Sequence, residues 1–247
     1  MRRRSPCIVL IAWIVVATAW GVALQAERFV VVEGDSVLAV ITHKAGIASG
    51  LAHNHFVVVG HLSLVLDFDP NEPTSASFRF EAAIEDLIVD GPGRHEQWSD
   101  RLQELSILGE GPKALSKKTR AKIRTAMLGR RQLDAATFPT FSVEVVGFEK
   151  SPATLGDVDF PYTASIEVEL HGTSRRLGAA SRYEWDGQTL WIEAVAVAYF
   201  SDFGIEPYSA MLGAIKNQDR FHFFLSLKAK PAAIVLDAPA VVPGDSP

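Results

Sequence analysis

The chain has 247 residues, 48% hydrophobic and 21% charged, so it carries enough apolar material for one sizeable core and does not require a second domain. Its formal net charge of −5 disfavours nucleic acid as a partner, because neutralising phosphates needs clustered Lys and Arg without a repelling field. Cys7 is the only cysteine, which excludes an internal disulfide and leaves stability to the core.

Arg2, Arg3 and Arg4, an apolar run from Ile8 to Leu24, and small residues at Ala23 and Ala26 make the three parts of an export signal, with cleavage expected after Ala26. The run approaches the ~20 residues that span a bilayer, so an uncleaved anchor is the competing reading. Removing residues 1–26 takes away three Arg and no acid, moving the formal net charge from −5 to −8. Cys7 goes with them, and thiol catalysis with it.

Residues 28–32 and 36–42 read as short strands, and Gly34-Asp35 between them predicts a hairpin turn. Gly46 and Gly50 predict a bend. Residues 50–70, GLAHNHFVVVGHLSLVLDFDP, read as one long strand. Alternation puts Phe56, Val58, Gly60, Leu62, Leu64, Leu66 and Phe68 on one apolar side, and His53, His55, Val57, Val59, His61, Ser63, Val65 and Asp67 on the other. A bulge at Gly60 would turn the strand over and aim His53 and His55 into the mouth of the sheet. Pro70 and Pro73 stop it, since proline cannot donate to a ladder.

Ala76, Phe78, Phe80, Ala82 and Ile84 alternate with polar positions as a half-buried strand. Trp98, Leu102 and Leu105 then recur at helical spacing, predicting a short amphipathic helix over 94–108. After the breaker Gly109-Glu110-Gly111-Pro112, Ser116 is placed to cap a second helix ending near Gly129. The stretch from Lys113 to Arg131 holds eight basic residues and no acid.

Strand patterns resume at 141–145, 165–171 and 177–185, and Asp186-Gly187 signals a hairpin before 190–200. The last strand covers 221–227, and the proline-rich tail from 231 to 247 reads as a loose terminus. These elements predict an all-β fold: an antiparallel barrel of about eight strands over residues 27–230, with a two-helix insertion at 91–131. A barrel of that size either fills itself with side chains or keeps room for one ligand.

Several pieces in order resemble the YceI-like family. They are Ser36 with His43 and Gly46; Gly60-His61-Leu62 leading to Phe68-Asp69-Pro70; Leu133-Asp134 with Phe138-Pro139-Thr140-Phe141; Leu170-His171-Gly172-Thr173-Ser174-Arg175; and Ser201-Asp202-Phe203-Gly204-Ile205. The resemblance covers about residues 30 to 230. It implies a lipocalin-like barrel, exported to the bacterial periplasm, that holds a polyisoprenoid or isoprenoid quinone in an elongated apolar cavity, with no cofactor. The chain departs from the family pattern in the helical segment 91–127 and in Ala52-His53-Asn54-His55.

On the residues alone, Phe56, Val58, Leu64, Leu66, Phe78, Phe80, Phe141, Ile166, Phe221 and Phe223 fall on apolar strand faces and serve as core fillers. The resemblance makes them the expected lining of a lipid cavity. His53 and His55, two apart on a strand, share a face and are weak candidates for one metal ion, the basis of an alternative reading as a metal-dependent enzyme or metal-binding protein. No nucleophile elbow, phosphate loop or dinucleotide fingerprint occurs, and His95-Glu96 lacks a second histidine four positions on. The basic stretch Lys113–Arg131 is either a solvated helix face or a transient contact for an anionic membrane.

Overall fold

The computed structural model describes residues 27–48, 50, 52–62, 64–109 and 115–232. The predicted signal at 1–26 and the tail beyond 232 lie outside the described residues. The chain begins with β1 (Glu27–Val31), β2 (Val37–Ala45), β3 (His55–Val59), β4 (Val65–Phe68), β5 (Arg79–Ala83) and β6 (Leu87–Val89). Two helices follow, α1 (Arg94–Glu104) and α2 (Lys117–Leu128). The second half supplies β7 (Thr140–Glu149), the small pair β8 (Ala153–Leu155) and β9 (Val158–Phe160), β10 (Tyr162–Leu170) and β11 (Thr173–Trp185). It closes with β12 (Leu190–Tyr199), β13 (Ser209–Ala210) and β14 (Ile215–Pro231).

Nine strands form a nearly closed antiparallel barrel in the order β5-β7-β10-β11-β12-β14-β2-β3-β6. The long β14 is the hub. It pairs with β12 on one side and with both β2 and β1 on the other, and β1 in turn carries β4. Gly34-Asp35 therefore does not close a hairpin between β1 and β2: both strands seek β14, whose 17 residues offer partners to each.

The predicted long strand over 50–70 is two strands, because Gly60 breaks it. Its N–H bonds to the carbonyl of Asp86 at 3.0 Å, and a Cβ at this position would stand 2.7 Å from that oxygen. Only glycine permits so close an approach of two backbones. The side-chain alternation resets across the break. Val57 and Val59 face the barrel interior before it, and Leu62, Leu64, Leu66 and Phe68 face the same interior after it.

Two apolar clusters result. The inner one fills the barrel, with Phe29, Phe68, Phe80, Phe141, Phe203, Phe221 and Phe223 among its members. The outer one lies on the opposite face of β2, β3, β12 and β14, where Ile41, Phe56, Val58, Val195 and Phe224 are covered by α1 and by the β8–β9 pair. Arg101 of α1 clamps the helix down by gripping the buried Glu193 of β12 with Nε and Nη2, at 3.0 and 2.8 Å. The helix α2 goes elsewhere. Capped by Ser116, whose Oγ accepts from Thr119 N–H at 3.1 Å, it lays Ile123, Met127 and Leu128 against the inner cluster.

Candidate ligand-binding cavity

Inward positions on one side of the barrel are small. Ala164 on β10, Ala179 and Ser181 on β11, and Ala194 and Ala196 on β12 replace the phenylalanines that fill the other walls. Alanine cannot reach the barrel axis, so an upper chamber of about 80 Å³ stays open between this wall and Leu64, Leu66, Phe78, Phe80 and Ile166. A lower chamber of about 220 Å³ lies nearer the α2 end, floored by Ile123, Ala126 and Met127 and walled by Val57, Val89, Phe141 and Phe221. Phe223 borders both chambers. At roughly 10–15 Å³ per water, these volumes hold several waters and more than a dozen, or an apolar chain in their place.

The rim of the lower chamber is polar. Thr42, His55, Lys122, Gln132, Tyr208 and Asn217 all reach it. His55 is held by Asp90, with Nδ1 and Oδ2 2.8 Å apart. The other carboxylate oxygen accepts the Phe56 N–H at 2.9 Å, and the Asp90 N–H returns a bond to the Phe56 carbonyl. These bonds hold Asp90 at a φ of 47°, in the left-handed region that a non-glycine residue enters only when its surroundings fix it there. A carboxylate only accepts, so Nδ1 of His55 carries the proton and donates. In the neutral ring Nε2 is then an oriented acceptor, and in the charged ring a second donor.

Of the residues expected from sequence, Leu64, Leu66, Phe78, Phe80 and Ile166 line the upper chamber, Phe141 and Phe221 the lower one, and Phe223 both. Phe56 and Val58 are corrections: they belong to the outer cluster, where Phe56 stacks on His95 of α1 with ring centroids 5.2 Å apart. The reset at Gly60 is the reason, since it puts residues 56 and 58 on the face opposite to 64 and 66. His55 faces the lower chamber, while His53 precedes β3 and is half-buried. Among the described residues no three His, Cys, Asp or Glu side chains cluster as a metal site.

Three contributors escaped the sequence reading. The alanines at 194 and 196 carried a usable signal, because small residues at alternate strand positions mark a wall with room in front of it. Asp90, followed by Gly91-Pro92-Gly93, gave none. The floor formed by α2 was hidden by its basic composition, although Ile123 and Met127, four apart, mark one apolar stripe.

Elsewhere, burial lowers the pKa of His95, whose Nε2 is buried without a hydrogen-bond partner among the described residues, as is Nε1 of Trp98 beside it. Both groups serve the packing of α1 against Phe56 and Phe224.

No protein-family model matches the chain, and no curated relative matches it by sequence. The barrel is similar to the crystal structure of BcnA from Burkholderia cenocepacia, with a TM-score of 0.55 and 12% identity over 81% of this chain and 99% of that one. That likeness shows a shared fold. A polyisoprenoid binding domain from Saccharophagus degradans aligns at 0.43 and 8% identity over 83% of this chain and 99% of that one. The YCEI protein of Campylobacter jejuni aligns at 0.45 and 10%, over 71% and 84%.

Proposed function

We propose that this protein is an exported carrier that holds one long hydrophobic chain, of the isoprenoid or isoprenoid quinone type, inside its barrel. The observation that carries the reading is the hollow core. Native interiors pack to the density of organic crystals, yet here two chambers with almost wholly apolar walls adjoin at Phe223. Each methylene moved from water into such a space contributes about 0.8 kcal/mol, so a chain of a few isoprene units binds without any charged anchor. The polar rim gives the ligand a direction, with its tail among the alanines and phenylalanines and its head beside His55, Lys122 and Gln132.

The order of the motifs from Ser36 to Ile205 supports the same reading through its resemblance to the YceI-like family. The signal-like segment 1–26 supports export to the periplasm. The basic face of α2, at the rim of the lower chamber, supports transient contact with an anionic membrane, each near-surface Lys or Arg contributing about 1 kcal/mol there. No step of this account needs a catalyst.

The test is organic extraction of the purified protein followed by mass spectrometry, with uptake of an added isoprenoid quinone measured in parallel. A stoichiometric long-chain lipid, or saturable uptake of one per chain, is the expected result. Protein that contains none and takes up none contradicts the carrier reading.

A further inference from the structure

The end of the barrel that holds the polar rim also carries the most exposed apolar side chains of the described residues. Ile47, between β2 and β3, is 98% exposed; Leu212 and Met211, between β13 and β14, are fully exposed and 68% exposed. Scattered exposed apolar residues need no explanation, but these three sit together on two loops that are tied to each other. Ala48 N–H bonds to the Ala214 carbonyl at 2.9 Å, and Gly46, at a φ of 93°, lies so close to that carbonyl that a Cβ would stand 2.5 Å from its oxygen.

The hairpin tip is costly in its own right. Met211 and Leu212 hold φ values of 52° and 56°, where turns ordinarily place Gly, Asn or Asp. The fold bears this strain without burying either side chain. A convex apolar tip also has the wrong shape for receiving a strand or a helix, which needs a groove or a sheet edge.

Its surroundings are those of a membrane contact. Lys216 of β14 stands at the base of the hairpin, where it pairs with Ala45 at the end of β2. Asp219, on the same strand, is turned to Ser201, accepting from its N–H and Oγ at 2.9 and 2.6 Å. Tyr208 and Asn217, which begin the hairpin, line the lower chamber opposite Lys122 of α2. The Gln132 side chain ties the segment after α2 to the Glu206 carbonyl at 2.9 Å. The apolar tip, the basic helix and the cavity rim therefore belong to one end of the molecule.

We propose that Ile47, Met211 and Leu212 insert into an anionic lipid bilayer and seat the rim of the lower chamber against it, so that an apolar chain passes between bilayer and barrel without crossing water. The transfer step rests on the carrier reading; the insertion does not. The basic side chains meet anionic headgroups while the three apolar ones enter the acyl boundary, the division seen in interfacial anchors.

The test uses the full chain with Cys7→Ser and a single cysteine at Leu212→Cys, labelled with an environment-sensitive fluorophore. The control is Glu33→Cys, exposed in the turn at the far end of β2. With phosphatidylcholine–phosphatidylglycerol vesicles, the label at 212 shifts to the blue and is quenched by acyl-chain spin labels, while the label at 33 does neither. In flotation of the processed protein, Ile47→Ser/Met211→Ser/Leu212→Ser lowers vesicle binding at least roughly tenfold, as loss of three apolar anchors requires. Lipid already in the barrel is unchanged, which separates this result from failure of the carrier reading. An unshifted, unquenched label at 212, or a triple variant that floats like wild type, overturns the proposal.

Discussion

Nε2 of His43 and Nδ1 of His222 are 2.7 Å apart, which joins β2 to β14 on the outer face of the barrel in a buried pair. Burial lowers the pKa of both rings, with the Arg220 charge adding to it, and His222 falls to about 4 under the further influence of His43. An unfolded histidine titrates near 6.5. As pH falls from about 6.5 toward 4, the unfolded chain takes up protons that the folded chain refuses, so stability declines through that window and is fully present above it. The melting temperature at pH 5 is expected to lie roughly 3–8 °C below that at pH 7.5 in a chain of this size. His222→Gln keeps a partner for His43 and flattens the dependence; an unchanged slope in the variant would assign the acid sensitivity to other groups.

Arg101 holds α1 to Glu193, a carboxylate whose side chain is 10% exposed and which, among the described residues, keeps the 3.5 Å contact of Arg182 once Arg101 is gone. Arg101→Met should cost about 3 kcal/mol in a denaturant titration, because it strands a buried charge. Glu193→Gln/Arg101→Met removes both charges and should recover much of that loss. A double variant as unstable as the single one would place the cost in packing instead.

Phe56 and Phe223 separate the two clusters. Phe56→Ala should destabilise by about 3–5 kcal/mol and leave lipid affinity within about twofold, because Phe56 packs under α1. Phe223→Ala opens the passage between the chambers, so it should combine a similar loss of stability with a changed preference for chain length. Equilibrium unfolding, alongside competition between short and long isoprenoids, checks both.

On the carrier reading, the Asp90–His55 pair sets which way the rim meets a polar head. In Asp90→Asn the amide nitrogen donates to His55 Nδ1, which moves the ring proton to Nε2 and turns an acceptor toward the chamber into a donor. With the ring neutral, the wild type should favour an isoprenoid alcohol, whose hydroxyl donates to Nε2, over an isoprenoid quinone by roughly the 1 kcal/mol of one hydrogen bond, and the variant should lose that preference, because both ligands accept from its Nε2–H. Parallel calorimetric titrations with the two ligands measure the change. Identical selectivity in both proteins would remove His55 from headgroup recognition.

Alternation made the barrel legible, since strands with one apolar face and hairpin signals leave few architectures open. What alternation cannot show is which of its two faces looks inward, and residues 50–70 demonstrate why. Both faces of β3 are buried, one under the barrel contents and one under α1, so Phe56 and Val57 look equally like core. The switch depends on the close approach of Gly60 to Asp86, a contact between segments 26 residues apart that no local pattern encodes. The histidine pair suffers the same limit. His55 draws its meaning from Asp90, 35 residues later, and of the pair it is His55 that lines the chamber. The upper chamber was written in the alanines at 194 and 196, but small residues in a strand read as weak packing until the opposite wall is in place.

The central claim is that the lumen itself holds the chain, and filling it is the most direct test. Ala194→Leu puts a branched side chain into the upper chamber from a wall position, at an overpacking cost of about 1–3 kcal/mol that leaves the barrel folded. Calorimetric titration of wild type and variant with one isoprenoid quinone should show saturable one-to-one binding in the wild type and at least roughly tenfold weaker binding in the variant, as loss of two or more buried methylenes requires. Equal affinity in the two proteins would place the lipid outside the upper chamber and contradict the account of one chain running through both.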